Sequence, residues 1–213
     1  MIDILNYDSY LFDMDGTLVD SEKLKGEALA KVCISVGGSA SLNDYKQVMG
    51  GSWETVRTHF YKISNITISH EKFDDIFRSM YQELISSKVE VTNGAKELLS
   101  LLKSKNKKVG IVTSATKWMA EEILNNINLS QTFDVLITKE NVSKHKPDPE
   151  AYLLAIKQLN TSAEGTLIFE DSSVGIEAGK RAGCNVIGII HDLNSSHNFS
   201  SASLTIKDFD ELL

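Results

Sequence analysis

Short apolar runs recur along this chain at Tyr10–Phe12, Val109–Val112, Val135–Ile137, Leu167–Phe169 and Val186–Ile190, and helical patterns separate most of them. Runs this short, bounded by turn residues, read as strands. Strands that alternate with helices build a parallel sheet with helices on both faces. The expected fold class is therefore α/β. Sheets of this kind bind ligands beyond the carboxyl ends of their strands, so the residues just after each run are where chemistry is to be sought.

The first run leads into Asp13-Met14-Asp15-Gly16-Thr17-Leu18. Side chains two apart on an extended chain point the same way, which would bring Asp13 and Asp15 together at one edge of the sheet. Two acids that close are costly unless something neutralises them. Mg²⁺ suits the task, because it prefers oxygen ligands. One carboxylate can then attack an electrophile while the other moves protons. A simple structural turn is the competing reading. A calcium loop fits poorly, since Thr17, Leu18 and Val19 are weak ligands. Gly16 permits a sharp turn, and Thr17 is expected to hold it by hydrogen bonds.

Three further clusters sit after later runs. Ile111-Val112-Thr113-Ser114 ends with hydroxyls that can hold a phosphate oxygen. Lys146-Pro147-Asp148-Pro149 supplies a cation, with Lys144 as the alternative. Thr166-Leu167-Ile168-Phe169-Glu170-Asp171-Ser172, with Gly175-Ile176, supplies a second acidic pair. Adjacent acids behind an apolar strand need a cation. Neighbouring side chains on a strand diverge, so Glu170 would reach a metal only through a bend or a water. Asp148 is expected to cap a helix with Pro149 at its first position, Asn93-Gly94 to lead into another, and Gly183 to end a third. Residues 21–88 carry helical periodicity broken at Gly37-Gly38, Gly50-Gly51 and Asn65.

Asp-x-Asp-Gly-Thr-Leu followed by Val19-Asp20-Ser21-Glu22, with the other three clusters in order, resembles the haloacid dehalogenase superfamily over nearly the whole chain. Within it the chain is similar to the β-phosphoglucomutase-like group. The resemblance implies a Rossmann-like core over residues 1–20 and 89–213, with an all-helical cap inserted at 21–88 and hinges near Asp20 and Lys88. It makes Asp13 the nucleophile of an aspartyl-phosphate intermediate and Asp15 the general acid and base. It gives phosphate binding to Ser114, with Thr113 as the alternative, and to Lys146. It implies Mg²⁺ held by Asp13, the backbone carbonyl of Asp15, Asp171 and Glu170. An acid at Asp15 points to phosphoryl transfer and away from dehalogenation.

The group holds both phosphatases and mutases. Mutases carry a cap histidine near the place of Lys25 and an arginine near that of Trp53; this chain departs from both. Trp53, Arg57 and Lys25 are the candidate cap contacts, Trp53 for stacking on a sugar and Arg57 or Lys25 for an extra anionic group. The expected activity is a Mg²⁺-dependent phosphatase acting on a small phosphorylated metabolite, a sugar or polyol phosphate. A sugar-phosphate mutase and a non-catalytic phospho-ligand binder are the alternatives. Thr92-Asn93-Gly94 stands where the family usually has proline and glycine.

Composition bounds the partners. A net charge of −7 argues against a general nucleic-acid binder. Met1–Tyr10 carries neither a basic head nor a long apolar run, and no stretch approaches a membrane span, so neither export nor membrane insertion is expected. Cys33 and Cys184 are expected to be reduced packing residues of a cytoplasmic protein, and a monomer is expected. The five histidines form no metal-ligand set; His145 reads as a solvated loop residue, and His191 and His197 fall in a polar tail.

Overall fold

The computed structural model describes residues 3–195 and 197–213. Met1 and Ile2 of the expected first core segment, and Ser196 of the serine-rich stretch Ser195–Ser203, lie outside the described residues. The chain divides into two compact units: one runs up to Asp20 and resumes over Glu90–Leu213, and the other is Ser21–Val89.

The first unit is an α/β, Rossmann-like core. Six strands, β1 (Ser9–Phe12), β2 (Lys108–Val112), β3 (Val135–Ile137), β4 (Thr166–Glu170), β5 (Asn185–Ile189) and β6 (Leu204–Ile206), form one parallel sheet in the order β3-β2-β1-β4-β5-β6. Every residue of β1 and β4 is buried, as a sheet covered on both faces requires. Phe12 and Phe169 are register partners, and their rings stack at 4.8 Å between centroids. Phe209 closes this aromatic cluster at 5.8 Å from Phe12 and 5.2 Å from Phe169. β6 has no counterpart among the expected runs.

Strand order reverses at β1, where the chain builds outward first to β2 and β3 and then to β4, β5 and β6. The crevice beyond the carboxyl ends of β1 and β4 is the ligand position of such a sheet. Four helices connect the strands of this unit. In α5 (Ala95–Ser104), Ala95, Leu98, Leu99 and Leu102 face inward at helical spacing. In α6 (Lys117–Asn126) the buried face is Met119, Ala120, Ile123 and Leu124, and in α7 (Glu150–Leu159) it is Ala151, Tyr152, Ala155, Ile156 and Leu159. The last, α8, spans Ser173–Arg181; the Gly183 backbone beyond it is left-handed, with φ +87°, and donates to Lys180, so a glycine ends this helix as expected. At the start of α7 the cap is offset from the expectation. Pro149 is the capping residue, and the Asp148 carboxylate accepts from the Glu150 N–H at 3.0 Å.

The second unit is all-helical among its described residues: α1 (Glu22–Ser35), α2 (Leu42–Lys46), α3 (Trp53–Ser64) and α4 (His70–Lys88). α1 packs on α4, whose Phe73, Phe77, Tyr81, Leu84 and Ile85 are buried at helical spacing. Asn65 ends α3 in the left-handed conformation, as the break there requires. Among the described residues no helix of either unit is long and apolar enough to cross a membrane.

Candidate active site

The four sequence clusters meet through the sheet register. Phe12 pairs with Ile111 and with Phe169, so Asp13 stands level with Val112 and Glu170. The Asp13 N–H continues the ladder by donating to the Phe169 carbonyl at 2.9 Å. Lys146, 133 residues along the chain, donates its Nζ to Asp13 Oδ1 at 2.5 Å, to Glu170 Oε1 at 2.6 Å and to the Val112 carbonyl at 3.1 Å. Its side chain is only 5% exposed. Lys144, the alternative cation, is largely exposed and lies 3.9 Å from Asp148, so the buried ammonium is that of Lys146. His145 is exposed.

The loop after Asp13 is a tight backbone turn. Thr17, Leu18 and Val19 donate to the Met14 carbonyl at 3.4, 3.0 and 3.1 Å, and Gly16 donates to Val19 at 2.8 Å. Gly16 has φ +78°, and a Cβ there would fall 2.4 Å from Asp171 Oδ2. Only glycine lets the turn and the acid approach so closely. Contrary to expectation, the Thr17 hydroxyl does not hold this turn: it is buried without a hydrogen-bond partner. The bond comes from the other side, where the Thr92 hydroxyl donates to the Thr17 carbonyl at 2.7 Å.

The hydroxyls after β2 separate. Thr113 is buried and its Oγ1 accepts from the Ala115 N–H at 3.0 Å, so it shapes the turn. Ser114 is exposed. Of the two expected phosphate contacts, the geometry leaves Ser114 as the accessible one.

Glu170 is held from several sides within the chain. Its Oε1 accepts from Lys146 and, at 3.3 Å, from the Tyr152 hydroxyl. Its Oε2 accepts from the Ser172 N–H and hydroxyl at 2.7 and 2.8 Å. Both oxygens are therefore satisfied within the chain, and Glu170 serves as partner to Lys146. The fit depends on Gly175, where a Cβ would lie 1.8 Å from Oε1. Asp171 turns the other way, as alternation along a strand end requires, and its Oδ2 meets His191 Nε2 at 3.0 Å.

Charge at this site is unbalanced. Asp13, Asp15, Glu170 and Asp171 are all buried, and Lys146 is the buried lysine among them. Burial pushes the Asp13 carboxyl well above the usual range, the Glu170 and Asp171 charges push the same way, and Lys146 opposes them. Burial also works against the Lys146 ammonium, but Asp13 and Glu170 outweigh it and keep it charged far above its ordinary range. Tyr152 lies beneath, its ring centroid 5.1 Å from Nζ, and burial followed by the Glu170 charge raises its hydroxyl. Among the described residues no three His, Cys, Asp or Glu side chains are gathered as a ready-made metal cage. The surplus of buried carboxylate oxygens nevertheless fits a hard divalent cation that keeps several waters.

The expected cap contacts have partners inside the helical unit. Lys25 Nζ pairs with Glu22 Oε1 at 2.7 Å, and the Tyr45 hydroxyl donates to Glu22 Oε2. Arg57 Nη1 and Trp53 Nε1 both donate to Asp74, at 2.7 and 3.1 Å. Trp53 also packs on Phe77 at 4.5 Å. Trp53 and Arg57 thus tie α3 to Asp74 of α4. Sequence reasoning missed Tyr152, His191 and Asn194. The signal for His191 was its place just after an apolar run; Tyr152 is indistinguishable from core on its helix face, and Asn194 bonds only to backbone.

The sequence matches the haloacid dehalogenase-like hydrolases over residues 10–189. The chain belongs to this family. Among its relatives, a phosphorylated carbohydrates phosphatase of Thermotoga maritima is 34% identical over 188 residues, 88% of this chain and 87% of that one. A validoxylamine A 7'-phosphate phosphatase of Streptomyces hygroscopicus subsp. limoneus is 32% identical over 97% of this chain and 96% of its own. A solved Thermotoga maritima structure, provisionally named a beta-phosphoglucomutase, superposes with a TM-score of 0.81 at 32% identity over 94% of each chain. This hydrolase thus carries the family's parallel core, and the resemblance stated from its motifs holds.

Proposed function

We propose that the protein is a phosphatase that hydrolyses a small phosphorylated sugar or polyol through an aspartyl-phosphate. The observation that carries this reading is the buried Asp13–Lys146–Glu170 cluster beside Asp171 at the ends of β1 and β4. The relatives named as phosphatases support it.

An Asp13 oxygen attacks phosphorus, and the bond from phosphorus to the ester oxygen breaks. Asp15 gives its proton to the departing alcohol. Asp15 then takes a proton from water as that water attacks the phosphorus of the acylphosphate, releasing inorganic phosphate and restoring Asp13. Lys146 offsets charge on Asp13 and on the phosphoryl oxygens, and Ser114 donates to one of them. Mg²⁺, held by Asp13, the Asp15 carbonyl and Asp171, would supply further neutralisation of phosphoryl charge. Glu170 keeps Lys146 in place. The helical unit acts as a cap that chooses the substrate and excludes water. The enzyme works as a monomer in the cytoplasm, and its two free, buried cysteines support the reducing compartment. Lys25 stands where a mutase carries histidine and is engaged with Glu22, which favours hydrolysis over phosphoryl return.

The test is phosphate release with Mg²⁺ from a panel of phosphorylated sugars and polyols, with sugar-phosphate isomers measured alongside. Asp13→Asn and excess chelator are each expected to abolish release. Retained turnover in Asp13→Asn removes this residue from the mechanism, and isomer formation without phosphate release makes the protein a mutase.

A further inference from the structure

We propose that His191 and Asn194, in the loop after β5, are positioning residues that fix the Asp171 carboxylate for the divalent cation. The inference rests on the metal-assisted reading above. Neither residue belongs to the four clusters that first marked the site.

Asn194 is fully buried. Its Nδ2 donates to the carbonyls of Asp171 and Ile189, both at 2.8 Å, and its Oδ1 accepts from the His191 N–H at 2.8 Å. Both amide hydrogens and the amide oxygen are used. Two carbonyls on one side and an N–H on the other fix which end is nitrogen. One side chain thus ties the end of β5, the loop after it and the residue after β4 into one unit.

That unit presents the imidazole. The Leu193 N–H donates to His191 Nδ1 at 3.2 Å, so Nδ1 is an acceptor and the ring proton resides on Nε2. Nε2 then donates to Asp171 Oδ2 at 3.0 Å. A Cβ on Gly16 would lie 2.4 Å from that oxygen and 3.0 Å from His191 Nε2, so the turn after Asp15 packs directly against the pair. Oδ2 is held between a donor and a backbone wall, which sets the carboxylate's orientation. Groups that orient a metal ligand in this way typically contribute about 10–100-fold in metal affinity.

The experiment uses the full chain without substrate and Mn²⁺ as the probe, with free ion read from its electron paramagnetic resonance signal and Mg²⁺ added in competition. His191→Ala is expected to weaken Mn²⁺ binding about 10-fold. His191→Gln, which keeps an N–H donor, is expected to restore most of the affinity. At saturating metal the KM for a phosphate ester is expected to stay near its original value. Asp171→Asn is the reference. If it weakens binding and His191→Ala does not, the positioning role is refuted; equal weakening by His191→Ala and His191→Gln refutes it too. If Asp171→Asn leaves Mn²⁺ affinity unchanged, the metal reading fails first and the inference fails with it.

Discussion

Replacing Lys146 with methionine tests the electrostatics of the site most directly. The ammonium makes two charge-assisted bonds, at 2.5 Å to Asp13 and 2.6 Å to Glu170, and is almost wholly buried. Bonds to charged groups contribute about 1.5–3 kcal/mol each, and breaking a buried ion pair by removing one partner costs about 3–5 kcal/mol. The two approaches agree on a loss of about 3–5 kcal/mol for Lys146→Met near neutral pH. For a chain of this size about 1 kcal/mol corresponds to 2–4 °C, so Tm is expected to fall by roughly 6–20 °C. The sign of the pH dependence follows from the stranded acids. Asp13 already sits above the usual carboxyl range, and without the lysine it is raised further. A carboxylate raised by folding destabilises the folded state once ionised and ceases to do so when protonated. The deficit is therefore expected to narrow on acidification. Adding Glu170→Gln removes one stranded charge and is expected to recover part of the loss. Thermal melts of the parent, Lys146→Met, Glu170→Gln and the double variant, followed by circular dichroism in metal-free buffer at several pH values, supply the measurement. A variant as stable as the parent near neutrality, or strictly additive losses in the double variant, would refute the view that Lys146 compensates these acids.

The two hydroxyls after β2 are expected to behave differently. Thr113→Ala loses the bond from the Ala115 N–H and is expected to cost about 1 kcal/mol in urea unfolding, whereas Ser114→Ala is expected to leave stability alone and weaken inhibition by inorganic phosphate. Away from the site, Asp134 is held below the usual carboxylate range: burial opposes this, but Lys103 and the Val109 N–H outweigh it. Because folding lowers its pKa, its contribution exists above about pH 4 and fades as pH falls through the folded value. Asp134→Asn is expected to cost at most about 1 kcal/mol near neutrality, since solvent screens an exposed pair, and nothing in acid; urea midpoints at pH 7 and pH 3 check it.

The strands of the core were legible because each is a buried run with its own turn signals. β6 was not: it is three residues long, Leu204 and Thr205 are exposed, and it follows a serine-rich stretch that hides its pattern. Within the site, Asp13 and Lys146 could be read because chemistry restricts which residue types do those tasks. The bonding of Glu170 was not legible, because its direction depends on Ser172, Tyr152 and the bare backbone of Gly175, none of which sequence spacing encodes. The bonds of Trp53 and Arg57 were hidden as well, because their shared partner, Asp74, lies a helix away. Asn194 could not have been found at all, since two of its three partners are main-chain groups of other segments.

The strand order also has a consequence for how the protein is made. Asp13 and the lysine that neutralises it are 133 residues apart, and β1 takes its second neighbour only when β4 exists. At about 5–20 residues per second of synthesis, roughly 7–27 s pass between the appearance of the acid and that of its counter-ion. The helical unit, Ser21–Val89, is continuous in sequence and is synthesised well before then. Synthesis therefore delivers β1 with one edge still open, and the buried charges meet only after most of the chain is present. Slowing elongation between codons 113 and 165 is expected to lengthen the time that one edge of β1 stays open, and so to raise aggregation of the nascent chain.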